Sequence, residues 1–397
     1  MNGMRGFRMR GVVVVGLIAL WPTQLLAQTS SDAPPRPPLC EGAITRLGPP
    51  PLAAPVADLW PASTFEATGR EDAALDDVLT RASGAMGADS MGAAVLDADG
   101  LWSGRAGAND APLFWWASAG KLAVAIAVLQ LVEEGAVSLD DPVSRWVEGV
   151  PLGERITLGM LLDHTSGLYS SNEAASVRAD PRLRTIDELV AVARDEGSLF
   201  CPGQGWRYSN TNYWLLGAVL EAVEGQPLDQ ILTRRIVERA GLSGVRFVTP
   251  DDAVSDMQSL PPPDAARGEG MVHPAWVGAA GPMLATPEGA VSLLQAVLTG
   301  RLLPTERVRS MLDLPWPMFD QPMAYGRGLM LYEVPEPGRP LTWIGHSGGA
   351  SGIKAAMVWS PVDQAYAAVV LTGPGSAEAA ANALLRTRKR RQSPAGT

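Results

Sequence analysis

The sequence predicts a mixed α/β fold of the α+β kind, with an antiparallel sheet flanked by helices and an all-helical lobe beside it. The segment 118–134 has helical length and is apolar nearly all round, which is typical of a buried central helix. Residues 140–241 have the spacing of several shorter helices. Strand-like runs between 329 and 371 are joined by tight turns, and consecutive strands joined in this way form an antiparallel sheet.

Three elements are expected ahead of the central helix. Residues 28–69 are dense in proline, which favours extended backbone and predicts a spacer or an arm wrapped on the body. Glu71–Met86 has the apolar spacing of a helix. The run 92–102, with Asp97-Ala-Asp-Gly100 at its centre, predicts a hairpin.

The elements after the central helix follow from periodicity and from cap residues. The clearest helix of the lobe, which we place at about 139–240, is Asn212–Glu224. Thr286 and Pro287 form a cap and first turn for a helix through Leu298. A last helix precedes a basic tail at 386–397. The predicted late strands and last helix are Leu329–Val334, Leu341–Ile344, Ile353–Trp359, Ala365–Leu371 and Ala377–Leu385.

Length and composition exclude several functional classes. The 397 residues suffice for one large domain or two intimate ones. A net charge of −10 argues against nucleic acid as a partner, since such proteins need a basic surface. The three histidines show no short metal-binding spacing, so we expect no metal and no cofactor.

The first 27 residues resemble a secretory signal peptide, with three early arginines and a short apolar run. The alternative is an uncleaved anchor. We therefore expect an exported protein, in a bacterial periplasm or secreted, without a transmembrane segment in the mature chain. Cys40 and Cys201 either pair in that oxidising compartment or remain two unpaired thiols. The basic run 386–391 is either a solvated end or an electrostatic contact with an anionic surface.

A serine and a lysine at the start of the central helix predict nucleophilic catalysis. Lys121 is one of only three lysines, and an amine can lose its proton inside a protein whereas a guanidinium cannot. Ser118 lies three residues earlier, on the same side of a helix. A second Ser-x-x-Lys, at Ser351 and Lys354, falls in strand-like sequence, where these positions point to opposite faces. The context selects Ser118 as nucleophile.

Two further motifs supply partners for this pair. Tyr208-Ser209-Asn210 lies on a loop before a helix, where a tyrosine near an ammonium can ionise and serve as base while Asn210 holds a substrate amide. Gly345-His346-Ser347-Gly348-Gly349 ends a predicted strand, and its backbone can line an oxyanion hole. It also matches the Gly-x-Ser-x-Gly elbow of α/β-hydrolases, but no histidine follows it and the next residues indicate strand rather than helix.

In this order, Ser118-x-x-Lys121, Tyr208-x-Asn210 and His346-x-Gly348 resemble the serine β-lactamase-like superfamily. That superfamily includes class C β-lactamases, D-alanyl-D-alanine carboxypeptidases and related esterases. The likeness covers about 70–385 and includes the stretch 161–168 and Ala279-Ala280-Gly281. It implies a β-lactamase/transpeptidase-like fold with the active site in the cleft between sheet and helical lobe.

Carried over by position, the resemblance assigns a role to each motif. Ser118 is the nucleophile, Lys121 and Tyr208 transfer protons, and Asn210, His346 and Gly348 bind substrate. The backbone N–H groups of Ser118 and Gly349 form the oxyanion hole, and His164 is structural. No metal or cofactor is implied.

The third motif departs from class C β-lactamases, which have Lys-Thr-Gly where this chain has His346-Ser347-Gly348. An ammonium favours a substrate carboxylate, whereas a histidine is mostly neutral at neutral pH. We expect an exported serine hydrolase that forms an acyl-enzyme on Ser118 and cleaves an amide, β-lactam or ester in a small or peptidoglycan-type substrate. The alternatives are an esterase of the same fold and a non-catalytic homologue that binds peptidoglycan or a protein partner.

Overall fold

The computed structural model describes residue 40 and residues 45–55, 57–107, 113–252, 273–318, 321–334, 341–350 and 352–392. The predicted signal peptide and Ser351 lie outside these residues. Within them, no helix is both long and apolar enough to cross a membrane.

In the described residues a run of helices between Lys121 and Leu232 separates the first strands from the later ones. The helices are α1 (Ala73–Met86), α2 (Lys121–Glu133), α3 (Leu158–Leu162), α4 (Ala175–Ala179), α5 (Ile186–Glu196), α6 (Asn210–Glu224), α7 (Leu228–Leu232), α8 (Pro274–Val277), α9 (Pro287–Leu298), α10 (Thr305–Ser310) and α11 (Ala377–Gln392). The strands are β1 (Ser90–Asp97), β2 (Gly100–Gly107), β3 (Phe114–Trp115), β4 (Val245–Phe247), β5 (Met283–Ala285), β6 (Trp316–Pro317), β7 (Met323–Tyr325), β8 (Met330–Val334), β9 (Leu341–Ala350), β10 (Ile353–Ser360) and β11 (Ala365–Thr372).

Eight of these strands form one antiparallel sheet in the order β2-β1-β11-β10-β9-β8-β7-β6. The amino-terminal hairpin joins the carboxyl-terminal strands through β1 and β11, with Ser90 opposite Thr372. A small second sheet, β3-β5-β4, lies beside the start of α2. The predicted antiparallel sheet with flanking helices is confirmed. The pairing of β1 with β11 joins the amino-terminal hairpin to the carboxyl-terminal strands in this sheet.

Apolar side chains fill both faces of the large sheet. One cluster places Leu75 and Leu79 of α1 and Leu384 of α11 against strands β1, β10 and β11. The other contains α2, α6 and α9 and the opposite face of the same strands. Helix α2 is buried along nearly its whole length, as its lack of a polar face predicted.

The two largest differences from the expected element boundaries are in β9 and α11. Strand β9 does not end at Ile344 but continues to Ala350, so the third motif lies within the strand. Helix α11 does not end at Leu385 but runs to Gln392, through most of the basic tail. Arginine and lysine are good helix formers and their charge is favourable at a helix C-terminus, which explains the extension.

The proline-rich arm packs on the body from residue 45 onward. Cys40 and Cys201 form a disulfide, so the pairing that the sequence left open is present. The Leu47 amide donates to the Gln204 carbonyl at 2.7 Å, and Leu52 donates to Pro315 at 2.7 Å. The arm therefore braces the loop 201–207, which leads directly to Tyr208.

Candidate active site

The candidate nucleophile lies in a tight turn at the amino-terminal end of α2. Residues Ala117–Gly120 form a single 3₁₀ turn, which passes directly into α2 at Lys121. Ala117 has a φ of 44°, a left-handed conformation that costs a non-glycine residue energy and is found most often at functional sites. This turn aims the amino-terminal end of the buried helix at Ser118, where its partial positive charge favours an oxyanion.

Lys121 is completely buried and makes three polar contacts. Its Nζ lies 3.1 Å from Ser118 Oγ, 2.8 Å from Asn210 Oδ1 and 2.5 Å from the Ala280 carbonyl oxygen. The last two are oxygens that only accept, so they take the two hydrogens of a neutral amine. The nitrogen lone pair is then left for the Ser118 hydroxyl proton, which is the arrangement of a general base.

Burial also favours the neutral form of this amine. It lowers the pKa of Lys121 well below its ordinary value, because the charged form loses its hydration in the interior. The only groups within hydrogen-bond reach among its described neighbours are a hydroxyl, an amide and a carbonyl, none of which carries a compensating charge.

Tyr208 reaches Ser118 from the loop after the disulfide. Its hydroxyl is hydrogen-bonded to the Ser118 side chain, and its ring lies 5.0 Å from Lys121 Nζ. Burial raises the pKa of Tyr208 far above its ordinary value, and the bond to Ser118 offsets only part of this. The shift is opposite to the expected ionisation, so Tyr208 is a neutral phenol that can donate and relay a proton.

The orientation of Asn210 is determined by a residue that the sequence reasoning missed. Asn210 Nδ2 donates to Asn172 Oδ1 at 3.0 Å, which leaves its Oδ1 turned toward Lys121. Asn172 Oδ1 also accepts from Ser170 Oγ at 2.8 Å. No motif marked Asn172, because its only signal in the sequence is a position shortly after the stretch 161–168.

His164 hydrogen-bonds and packs against the Tyr208 motif, in agreement with its expected structural role. Its Nδ1 accepts from the Ser209 amide at 3.3 Å and lies 3.0 Å from Asn212 Nδ2. Its ring packs 4.3 Å from the ring of Tyr208. Burial and the nearby Lys121 lower the pKa of His164 well below its ordinary value, so the imidazole is neutral.

Strand β9 brings the third motif against the nucleophile turn. A Cβ on Gly348 would lie 2.2 Å from the Trp116 carbonyl oxygen and 2.9 Å from the Ser118 amide nitrogen, so only glycine permits this approach. The pairing of β8 with β9 ends at Gly345, while β10 pairs with β9 to Ala350. The backbone around Gly349 therefore lies on a strand edge beside the Ser118 amide, where we placed the oxyanion hole.

His346 is brought to the same region, but its side chain is engaged by the protein. It is 1% exposed, its Nδ1 lies 2.6 Å from the Ser347 carbonyl oxygen, and its Nε2 lies 3.1 Å from the Tyr325 hydroxyl. Burial, with the nearby Lys121, lowers the pKa of His346 to about 3. The sequence predicted a substrate ligand here, whereas both ring nitrogens are already occupied.

The rival nucleophile Ser347 is not in an elbow. The residues after it continue β9 rather than entering a helix. Its side chain contacts Met330 Sδ on the opposite face of the sheet from Lys121. Among the described residues no group of three or more His, Cys, Asp or Glu side chains is arranged to hold a metal ion.

A helix-flanked antiparallel sheet with a serine–lysine pair at the end of its central helix defines the class of serine hydrolases with a β-lactamase-type fold. The chain belongs to the Beta-lactamase family, whose model matches residues 75–390.

Known relatives with different activities share this fold. The chain is similar to penicillin-binding protein 4* of Bacillus subtilis, with 32% identity over 34% of this chain and 30% of that protein. It is similar to the esterase EstB of Burkholderia gladioli, with 36% identity over 34% of this chain and 39% of that protein. The matched region thus spans less than two fifths of either relative.

Among solved structures, the D-stereospecific amidohydrolase from a Streptomyces species superposes with a TM-score of 0.66 at 27% identity, over 82% of this chain and all of that one. A penicillin-binding protein from Bacillus halodurans, at 21% identity and a TM-score of 0.65 over 82% of this chain and 100% of that one, shows the fold alone.

Proposed function

We propose that the protein is an exported serine hydrolase that cleaves an ester, amide or β-lactam bond through an acyl-enzyme on Ser118. One observation carries this proposal: the buried Lys121 Nζ lies 3.1 Å from Ser118 Oγ, and its other two polar contacts are oxygens that only accept. Such a buried, unpaired amine acts as a base rather than as a structural charge. Relatives named as an esterase and a D-stereospecific amidohydrolase support hydrolysis of an acyl bond.

Each step of the reaction uses a group already in contact. Ser118 Oγ gives its proton to Lys121 Nζ and forms a bond to the acyl carbon. The N–H groups of Ser118 and Gly349 hold the oxyanion that develops. Tyr208 donates its hydroxyl proton to the leaving group, and the Lys121 ammonium gives up the proton it took from Ser118 to restore the Tyr208 hydroxyl. Water then repeats these transfers in reverse to release the acid.

Asn210 has a second role in this scheme. Its Oδ1 positions the amine of Lys121, and the second hydrogen of its Nδ2 can donate to a substrate carbonyl. The backbone of Gly348 and Gly349 provides a strand edge along which the acyl chain can lie.

Export is supported by the apolar amino-terminal run and by the disulfide between Cys40 and Cys201. Disulfides persist in oxidising compartments such as the periplasm. The basic end of α11 supports an electrostatic contact with an anionic surface such as a membrane or wall polymer.

Covalent labelling tests the nucleophile. The mature protein is treated with a fluorophosphonate probe and its intact mass is followed over time. We expect one adduct in the wild type and in Ser351→Ala, which alters the other Ser-x-x-Lys, and no adduct in Ser118→Ala. Labelling that persists in Ser118→Ala would overturn the assignment, and an unlabelled wild type would favour the non-catalytic alternative.

Benzylpenicillin separates the candidate reactions. A persistent adduct that is absent from Ser118→Ala indicates a penicillin-binding enzyme with slow deacylation. Rapid loss of penicillin without an adduct indicates a β-lactamase. Neither adduct nor loss, together with fluorophosphonate labelling, indicates an esterase or amidase.

A further inference from the structure

Both polar side chains of the third motif are engaged by other groups of the protein. His346 is buried on the face of the sheet that packs against α2. Its Nδ1 lies at the Ser347 carbonyl and its Nε2 at the Tyr325 hydroxyl. A carbonyl oxygen only accepts, so Nδ1 carries the proton of the neutral ring, and the unprotonated Nε2 lies against the Tyr325 hydroxyl. Neither nitrogen has a hydrogen to offer to a substrate carboxylate.

Ser347 is committed on the other face of the sheet. Its backbone amide lies 3.4 Å from Met330 Sδ and its hydroxyl 3.8 Å from the same sulfur. The Tyr332 hydroxyl is also bonded to the Ser347 side chain. The third motif therefore presents backbone groups to a substrate, rather than an imidazolium or a hydroxyl.

Tyr325 is the residue that keeps His346 in this position. Its ring packs 4.7 Å from the ring of His164 and 5.9 Å from that of Tyr208, and it meets His346 edge-on at 5.5 Å. Its hydroxyl also lies 3.2 Å from that of Tyr213. Because the ring is completely buried, Tyr325 has no room to turn and release the imidazole.

The positive groups next to the candidate nucleophile are also committed. Burial favours the neutral form of Lys121, and its Nζ already donates to Asn210 Oδ1 and to the Ala280 carbonyl. Arg207, the neighbour of Tyr208 in the chain, pairs with Glu173 at 3.0 Å. The protein as a whole carries a net charge of −10, which disfavours the approach of an anion.

We propose that the site selects esters or amides with an uncharged leaving group over those with a carboxylate there, and that Tyr325 sets this preference by occupying Nε2 of His346. This inference rests on the proposed acyl-enzyme function and deepens it. A carboxylate placed in the cleft loses its hydration without gaining a charged partner, which makes its binding unfavourable. Tyr325 is a positioning residue, since it acts through His346 and does not contact the reacting atoms.

A pair of matched substrates tests the preference. An N-acylglycyl ester of 3-hydroxybenzoic acid and its methyl ester have the same scissile bond and differ by one carboxylate. We expect the wild type to cleave the methyl ester with a kcat/KM about tenfold higher or more, which corresponds to a difference of about 1.4 kcal/mol in transition-state binding. An equal or higher kcat/KM for the free acid would overturn the inference.

Three variants assign the effect to the tyrosine and the histidine. Tyr325→Phe removes the hydroxyl that lies against Nε2, so that the imidazole can take a second proton there and donate it to a carboxylate, and the substrate ratio should fall at least threefold. His346→Lys, which introduces an ammonium, should have the same effect. His346→Gln, which removes an imidazole that donates nothing to substrate, should leave the ratio unchanged. The matched control is Tyr366→Phe, a buried tyrosine that packs against Trp359.

The outcomes separate the two proposals. An unchanged ratio in Tyr325→Phe, or a selective loss of the free acid in His346→Gln, would overturn the role of Tyr325 even if Ser118 is labelled. If Tyr325→Phe does not fold, His346→Gln and His346→Lys still decide the question. Absence of turnover with both esters and of fluorophosphonate labelling would instead contradict the proposed function.

Discussion

A basic side chain is buried at each end of helix α2. Its partners are uncharged groups at one end and carboxylates at the other. At the amino-terminal end, Lys121 contacts a hydroxyl, an amide and a carbonyl. At the carboxyl-terminal end, Arg235 is 7% exposed and bonds both carboxylate oxygens of Glu134, at 2.8 and 2.9 Å, as well as Glu224. Burial without a counter-charge neutralises an amine, whereas burial with carboxylates retains a guanidinium as a charge.

The difference gives the two ends of α2 different roles, since one end is suited to catalysis and the other stabilises the fold. A neutral amine can take a proton from Ser118, so the amino-terminal end is suited to catalysis. The bidentate pair at the other end ties α2 to the π-helical segment Thr233–Glu238, where Arg235 lies. The hydrogen bond from Arg235 lowers the pKa of Glu134, consistent with a pair that stays ionised.

The largest expected effect is on activity at the lysine end. Lys121→Arg should reduce kcat/KM about 10³-fold, because a guanidinium does not lose its proton and cannot act as base. Ester hydrolysis and the rate of fluorophosphonate labelling measure it. Lys354→Arg is the matched control and should remain within about twofold of the wild type. An active Lys121→Arg would show that the amine is not the base.

At the arginine end, the expected effect is on folding. Arg235→Met should lower the free energy of unfolding by about 3 kcal/mol, because Glu134 loses its bidentate partner and the buried Glu224 keeps only Arg234. Chemical denaturation measures the change. Arg239→Met, in which the side chain is 49% exposed and 4.0 Å from Glu134, should cost less than about 0.5 kcal/mol. Equal losses in both variants would contradict the contrast between the two ends.

Tyr208→Phe tests whether the neutral phenol relays a proton. It should lower kcat/KM about 10²-fold for an amide and less for an activated aryl ester, whose leaving group needs no proton. Comparing the two substrates separates this role from a general loss of structure. A uniform loss with both substrates would indicate that the hydroxyl only positions Ser118.

The smallest expected effect within a single pH unit is a pH dependence of stability. The pKa of Lys121 is lowered in the folded state, so between that value and the ordinary 10.5 the unfolded chain binds more protons and stability rises with pH. Relative to Lys121→Met, wild-type stability should rise by up to about 1.4 kcal/mol per pH unit within that window. Denaturation of both proteins from about pH 6 to about pH 10 measures it. Parallel curves would mean that the lysine is not titrating in the fold.

Much of the fold and the order of the site motifs could be predicted from the sequence. The apolar α2 and the cap at Thr286 are local patterns, and the structure has both. The spacing of Ser118 and Lys121 placed them on one side of a helix turn, where they lie 3.1 Å apart. Their catalytic roles stay predictions until the variants are measured.

Other features of the site were not predictable, since they depend on contacts between distant segments. Asn172 contacts Asn210, which lies 38 residues further along the chain. Tyr325 of β7 contacts His346 of β9, with β8 between the two strands. The expected ionisation of Tyr208 was opposite to the shift found, because the sequence did not show how deeply the loop is buried.

The sequence alone determined which chemical groups the site has: a hydroxyl, a scarce amine, a phenol and a glycine-lined strand, in one order along the chain. Only the tertiary structure decided their protonation and direction. Burial favours the neutral forms of Lys121 and Tyr208, and the Tyr325 hydroxyl engages Nε2 of His346. The physical reason is that residue type and local spacing are encoded along the chain, whereas desolvation depends on everything packed around a group.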